Sequence, residues 1–276
     1  MSEVVSDTAQ VAHAGGGGEF IIEHVVNSHT LHLPFLGHVH LPHLEVFGID
    51  MSITKHVVMM WAAAVIVFFM LLTLRRHDKA ALVHKGLPGA LEAIVSFIRD
   101  EIAVPNIGPH EANRFLPFLL TVFFFILSCN LLGMIPYGAT ATGNVNVTAG
   151  LAICSFAAIQ VSGIMRNGLF GYFKGLVPHG LPWPLLPIII PIEIMGLFTK
   201  PFALCIRLFA NMTAGHIIIL AVLGLIFILK SLLVAPLSVI FAVGVNLLEL
   251  FVALLQAYIF TMLSAVFIGM AMHQEH

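Results

Sequence analysis

Polar and apolar positions along this chain fall into long blocks. From His56 to Leu74, 19 residues pass without an Asp, Glu, Lys or Arg, close to the ~20 that a helix needs to cross ~30 Å of hydrocarbon. Between Arg114 and Arg166 lie 51 more such residues, too many for one crossing and right for two. Gly, Thr and Asn collect between Pro136 and Asn146. The pattern therefore predicts a span at about 115–135, an uncharged outer loop, and a return span at about 147–165.

The last hundred residues follow a different rule. Residues 175–192 are apolar but carry Pro178, Pro182, Pro184, Pro187 and Pro191, with Pro201 soon after. Prolines at that density argue against a smooth spanning helix, so a short amphipathic or re-entrant segment is expected. Glu193 to Lys230 and Pro236 to Met272 are then two apolar runs of about 37 residues each, or roughly 55 Å of helix at 1.5 Å per residue. A perpendicular crossing uses only ~30 Å, so both must tilt strongly, kink, or leave the hydrocarbon. The expected fold is an all-α integral membrane protein of about five passes, the last two long and oblique.

Composition agrees. Hydrophobic residues are 59% of the chain, charged residues 9%, and mean hydropathy is +1.01; a soluble domain carries roughly 25% charged residues. A net charge of −2 gives no basic surface for nucleic acid. Cys129, Cys154 and Cys205 all sit in apolar runs without metal-ligand spacing, which reads as buried, inert thiols. Residues 1–50 stand apart as a polar, His-rich tail before a transmembrane domain at 51–276. The tail has six acids, no Lys or Arg, a Gly15–Gly18 run and seven of the fifteen histidines, with His38, His40 and His43 closest together. A weak metal or proton-collecting site is the sharp reading there, an incidental His bias the plain one.

The charges flanking the spans set direction. Arg75, Arg76, Lys79 and Lys85 follow the first span and the tail before it has no basic residue, which places the N-terminus outside and residues 75–114 inside. Arg166 and Lys174 then fall inside as well, the C-terminus ends inside, and Lys230 outside is a mild exception. The first residues lack the basic start and early apolar core of a signal peptide, so insertion is expected to use the spans. No phosphate cradle, dinucleotide fingerprint or nucleophile motif is present, and neither a cofactor nor a catalytic centre is expected.

Ionisable side chains at membrane depth cost roughly 3 kcal/mol each on insertion scales. The last two helices carry Glu193, Lys200, Arg207, His216 and Glu249, with Asn211, Asn246 and Gln256. At about 100° per residue, Glu193, Lys200 and Arg207 form one stripe within roughly 40°, Asn211 lies one turn beyond, and His216 faces the other way. Asn246, Glu249, Ala253, Gln256 and Phe260 make a stripe on the final helix. Arg holds its proton at any accessible pH, so it can repel protons and attract an anion but never relay; His and Glu can titrate. A fixed cation beside exchangeable groups suits an ion path that must not leak. Plainer readings are helix-gluing hydrogen bonds for Asn246 and Gln256, headgroup positions for Glu193 and Lys200, and a structural ion pair for Arg207.

At these residues the chain resembles subunit a of the F-type ATP synthases. The resemblance rests on KPFALCIRLFANMTAGHIIIL at 200–220, LLQAYIFTMLSAVFIGMA at 254–271, NLLGMIPY at 130–137, GNVNVTAGLA at 143–152 and GIMRNG at 163–168. It implies a non-catalytic stator subunit in a bacterial inner membrane, working against a ring of c subunits, held by the b subunits of a peripheral stalk and serving an F1 sector. Arg207 then matches the essential arginine that faces each passing c-subunit carboxylate and separates two aqueous half-channels. Asn211, His216, Glu249 and Gln256 match polar channel positions, and Glu193 a position on the cytoplasmic side. Many bacterial members have an acid at the position of His216 and a His at that of Glu249. The exchange here suggests that the two side chains meet, and leaves open which carries the proton. A secondary ion transporter is the alternative, since charged, proline-broken spans also mark those folds, although the chain lacks their two similar halves. A non-conducting scaffold is a third reading.

Overall fold

A computed structural model describes residues 30–33, 37–40, 45–46, 49–50, 54–76, 86–135, 140–175, 186–229 and 234–273. Gly15–Gly18, His43, Lys79, Lys85, Pro178, Pro182, Pro184 and Lys230 lie outside them. Four short strands come first. Strand β1 (Thr30–Leu33) pairs antiparallel with β2 (Gly37–His40), Thr30 opposite His40 and His32 opposite His38. Strands β3 (Glu45–Val46) and β4 (Ile49–Asp50) form a second small hairpin.

Among the described residues, the elements after them are all helical. Helix α1 is Lys55–Arg76, α2 begins as Leu87–Phe97, α3 is Ala112–Gly133, α4 Val145–Gly175, α5 Leu186–Leu229 and α6 Val234–Met272. Five are long and apolar enough to cross a membrane, over Lys55–Thr73, Ala112–Gly133, Val145–Tyr172, Ile188–Ile226 and Ala235–Met272. The protein is an all-α multi-pass membrane protein. The hairpins precede the first span and leave that class unchanged.

Three departures from the sequence pattern are instructive. Helix α2, between the first two spans, continues through a widened π turn at Ile98–Ala103 into Val104–Ile107. Pro105 has no N–H to close a regular turn, and the insertion lets the helix pass it. Residues 186–192, expected in a separate short segment, instead form the first turns of α5, which runs 44 residues straight through Pro191 and Pro201. Membrane helices tolerate such prolines where neighbouring groups satisfy the freed carbonyls. Helices of 44 and 39 residues measure roughly 66 and 58 Å, longer than the apolar runs alone required. Helix α4 also outruns its expected end at 165 and breaks at Gly168, where φ is 71° and ψ is 164°.

The chain divides into two compact units. The first comprises Met1–Ala62, Cys129–Asn144 and Phe209–Ala253, the second Ala63–Ser128, Val145–Leu208 and Leu254–His276. The second unit holds the main hydrophobic core, centred on Leu119, Phe124, Ile126, Leu208, Phe260 and Ile268. Small polar pairs tie its helices from within. Ser155 and Ser264 share a 2.7 Å hydrogen bond, Thr148 and Cys205 a 3.4 Å one, and Asn167 Nδ2 donates to the Ala271 carbonyl at 3.1 Å. Cys129 and Cys205 are buried, but Cys154, read from the sequence as another buried thiol, is exposed; an apolar run in a membrane protein has a lipid side as well as a core side.

Coverage differs sharply between helices. Half of the apolar stretch by which α3 can cross a membrane is buried inside the chain, against 6% of that of α5. So apolar a surface must be covered by lipid or by another subunit.

Candidate functional site

The first unit contains a buried polar cluster assembled from three distant stretches. His216, on α5, points Nδ1 at Glu249 Oε1 on α6 across 2.8 Å. Its Nε2 lies 3.0 Å from the Gly133 carbonyl and 3.1 Å from Thr140 Oγ1. The Thr140 carbonyl lies 3.1 Å from Nδ1 of His56, the second residue of α1. Only 4% of Glu249 and 5% each of His56 and Thr140 remain exposed, so every polar atom needs its partner. Asn130 Oδ1 accepts from the Thr142 hydroxyl at 2.7 Å, and Asn130 Nδ2 donates to the Ala253 carbonyl at 3.3 Å.

Two glycines make this packing possible. A Cβ on Gly215 would lie 2.9 Å from Glu249 Oε1, and one on Gly133 would overlap the Thr140 side chain. Both positions use the missing side chain to let a polar group approach the backbone.

Arg207 is treated in the opposite way. It is exposed on α5, and no hydrogen bond or ion pair reaches its guanidinium among the described residues. Exposed positions within two turns of it on the same side of α5 are Ala203, Ala210, Asn211 and Ala214, small residues beside one cation, with the larger Ile206 and Ile218 exposed at the edges of that patch. Leu204 and Leu208 take the covered side. The sequence stripe on α6 holds for Glu249, Ala253, Gln256 and Phe260, all buried, while Asn246 is exposed.

Elsewhere in the second unit, Glu193, Lys200, Gln160 and Tyr172 line an open cleft of about 230 Å³. Lys200 Nζ sits 5.1 Å over the Phe267 ring, a cation–π contact rather than an ion pair. Gln160 Nε2 is buried there without a partner among the described residues. Arg166 and Glu111 form a 3.1 Å ion pair, partly exposed and therefore of small energetic weight.

A family model described as ATP synthase A chain matches residues 57–269. The chain belongs to that family. Among its relatives, an ATP synthase subunit a of Chloroherpeton thalassium is 52% identical over 261 residues, covering 92% of this chain and 77% of the relative. One from Myxococcus xanthus is 56% identical over 229 residues, covering 83% and 75%. An ATP synthase subunit a 2 from Chlorobaculum tepidum is 54% identical over 258 residues, covering 92% and 73%.

His216 and Glu249, expected from the sequence to meet, do so. Thr140, His56 and Gly133 were not singled out by sequence reasoning. Thr140 sat in what reads as a featureless loop, and His56 reads as the edge of an apolar span. Their only signal is spatial.

Proposed function

We propose that this protein is the proton-translocating stator subunit of a rotary F-type ATP synthase. It works in a bacterial plasma membrane with the N-terminus outside and the C-terminus in the cytoplasm. It has no catalytic centre of its own. Its partners are the c-subunit ring, the b subunits of the peripheral stalk and, through them, the F1 sector.

The observation that carries this reading is Arg207, a permanent cation on an apolar helix, exposed and unpaired among the described residues, beside the small residues Ala203, Ala210 and Ala214. Small residues let a partner helix approach closely, and an arginine without a partner in its own chain is ready for an anion on another. A c-subunit carboxylate fits that role: opposite Arg207 it stays ionised, and it takes up a proton only after moving past. Because Arg207 cannot give up its own proton, it also separates two half-channels. His216 and Glu249 serve the channel open to the outside, with Asn211 and Gln256 as further polar positions. Glu193, in its open cleft, serves the cytoplasmic one. The excess length of α5 and α6 lets them lie obliquely against a curved ring.

Membership in the ATP synthase A chain family favours this reading over a stand-alone transporter. Replacing Arg207 with Ala in the assembled complex tests it. ATP-driven acidification of inverted vesicles is expected to vanish while the complex still assembles, and retained pumping would sink the reading.

A further inference from the structure

We propose that Thr140 and His56 are positioning residues for the His216–Glu249 pair: with the Gly133 carbonyl, they fix a proton on Nε2 of His216, so that the proton the pair exchanges moves only between Nδ1 and Glu249. This deepens the channel reading above and rests on it.

The argument starts from what a carbonyl can do. The Gly133 oxygen only accepts, and it lies 3.0 Å from His216 Nε2, so that nitrogen carries a hydrogen. Thr140 Oγ1, 3.1 Å away, accepts from the same N–H in a three-centre arrangement. The remaining nitrogen, Nδ1, faces Glu249 Oε1 at 2.8 Å. The pair then has two arrangements with the same proton count. In one, an imidazolium donates to a carboxylate; in the other, a carboxylic acid donates to a neutral imidazole. Passing between them breaks the Nδ1–H bond and forms the O–H bond on Glu249, with no change in net charge. A carbonyl cannot take a proton onward, so the Gly133 side is a dead end and Glu249 is the member that hands the proton on.

Thr140 is itself held from behind. His56 Nδ1–H donates to its carbonyl at 3.1 Å, and the Gly143 N–H donates to the same oxygen at 2.9 Å. Gly133 leaves the room that the Thr140 side chain fills. His56 thus acts on His216 through Thr140, from 160 residues away in the chain.

The test uses the assembled ATP synthase in inverted vesicles, reading proton pumping per ATP hydrolysed. Thr140→Val is expected to lower pumping about tenfold, the scale of one hydrogen bond to a charged group. Thr140→Ser, which keeps the hydroxyl, restores it. His56→Leu lowers pumping, and His56→Asn, which keeps an N–H donor near the Nδ1 position, recovers most of it. In parallel, nitrogen-15 NMR of histidine-labelled complex, with His216→Gln identifying the signal, is expected to show His216 protonated at Nε2 in the native protein, with the Nε2 resonance shifted in Thr140→Val, where one of its two acceptors is lost. Wild-type pumping by an assembled Thr140→Val complex overturns the proposal, as does equal damage from Ser and Val, or a neutral native ring protonated only at Nδ1. If Val prevents assembly, Thr140→Ala against Thr140→Ser decides in the same way. Should Arg207→Ala and Glu249→Ala both still pump, the channel reading itself falls. If both are dead and the Thr140 variants are normal, only the positioning role does.

Discussion

Glu249 and Arg207 are both ionisable groups on long apolar helices, and the protein handles them by opposite means. Glu249 is 4% exposed and bonded to His216, whose other nitrogen meets Gly133 and Thr140. Arg207 is exposed beside small residues with no ion pair among the described residues. Burial against a bonded partner suits a group whose proton must move along one route, because that partner is fixed beforehand. Exposure without pairing suits a charge whose partner arrives from outside the chain. A buried arginine with a permanent carboxylate partner would be a structural ion pair and would have nothing left to offer another subunit.

The sharpest way to break this contrast is at Arg207, where Ala is expected to remove pumping completely without unfolding the protein, since almost nothing in its own chain depends on the side chain. The next effect is at the pair. His216→Ala or Glu249→Ala should each cut pumping by about 10²-fold, the usual worth of a positioned acid or base. The reversed pair, His216→Glu with Glu249→His, should recover well above either single variant, because the contact survives exchange; equal damage in all three would show that orientation, not contact, is what counts. A milder perturbation is Gly215→Ala. Its new Cβ would meet Glu249 Oε1 at 2.9 Å, and since a carboxylate is the end of a flexible chain, pumping should fall only a few-fold. Smallest of all, Ser155→Ala removes one side of the Ser155–Ser264 bond in the second unit. It should cost about 0.6 kcal/mol, the average for a hydrogen bond between membrane helices, read as a slight fall in the thermal midpoint of the detergent-solubilised protein with pumping unchanged.

Much of the fold was legible because lipid imposes a simple rule: a chain without charges for some 20 residues must satisfy its own backbone, and a helix does so. The predicted spans at 115–135 and 147–165 correspond to α3 and α4, and the two long apolar runs to α5 and α6. What misled was proline, which breaks helices in water more reliably than in a membrane, so that residues 186–192 joined α5. Cys154 misled for a related reason, since hydropathy is the same on a core-facing and a lipid-facing side.

Of the candidate site, the sequence by itself determined which residues carry charge or exchangeable protons in an apolar setting, and that Arg207 and His216 face apart, because helical periodicity follows from spacing alone. Tertiary structure decided the rest. It showed that Arg207 is uncovered, that Glu249 is buried against His216, and that Thr140, Gly133 and His56 close around that pair. Those three come from positions far from His216 in the chain, and two of the contacts are made to backbone carbonyls, of Gly133 and Thr140, which every residue has. No residue type announces such a contact, so only the folded chain can reveal it.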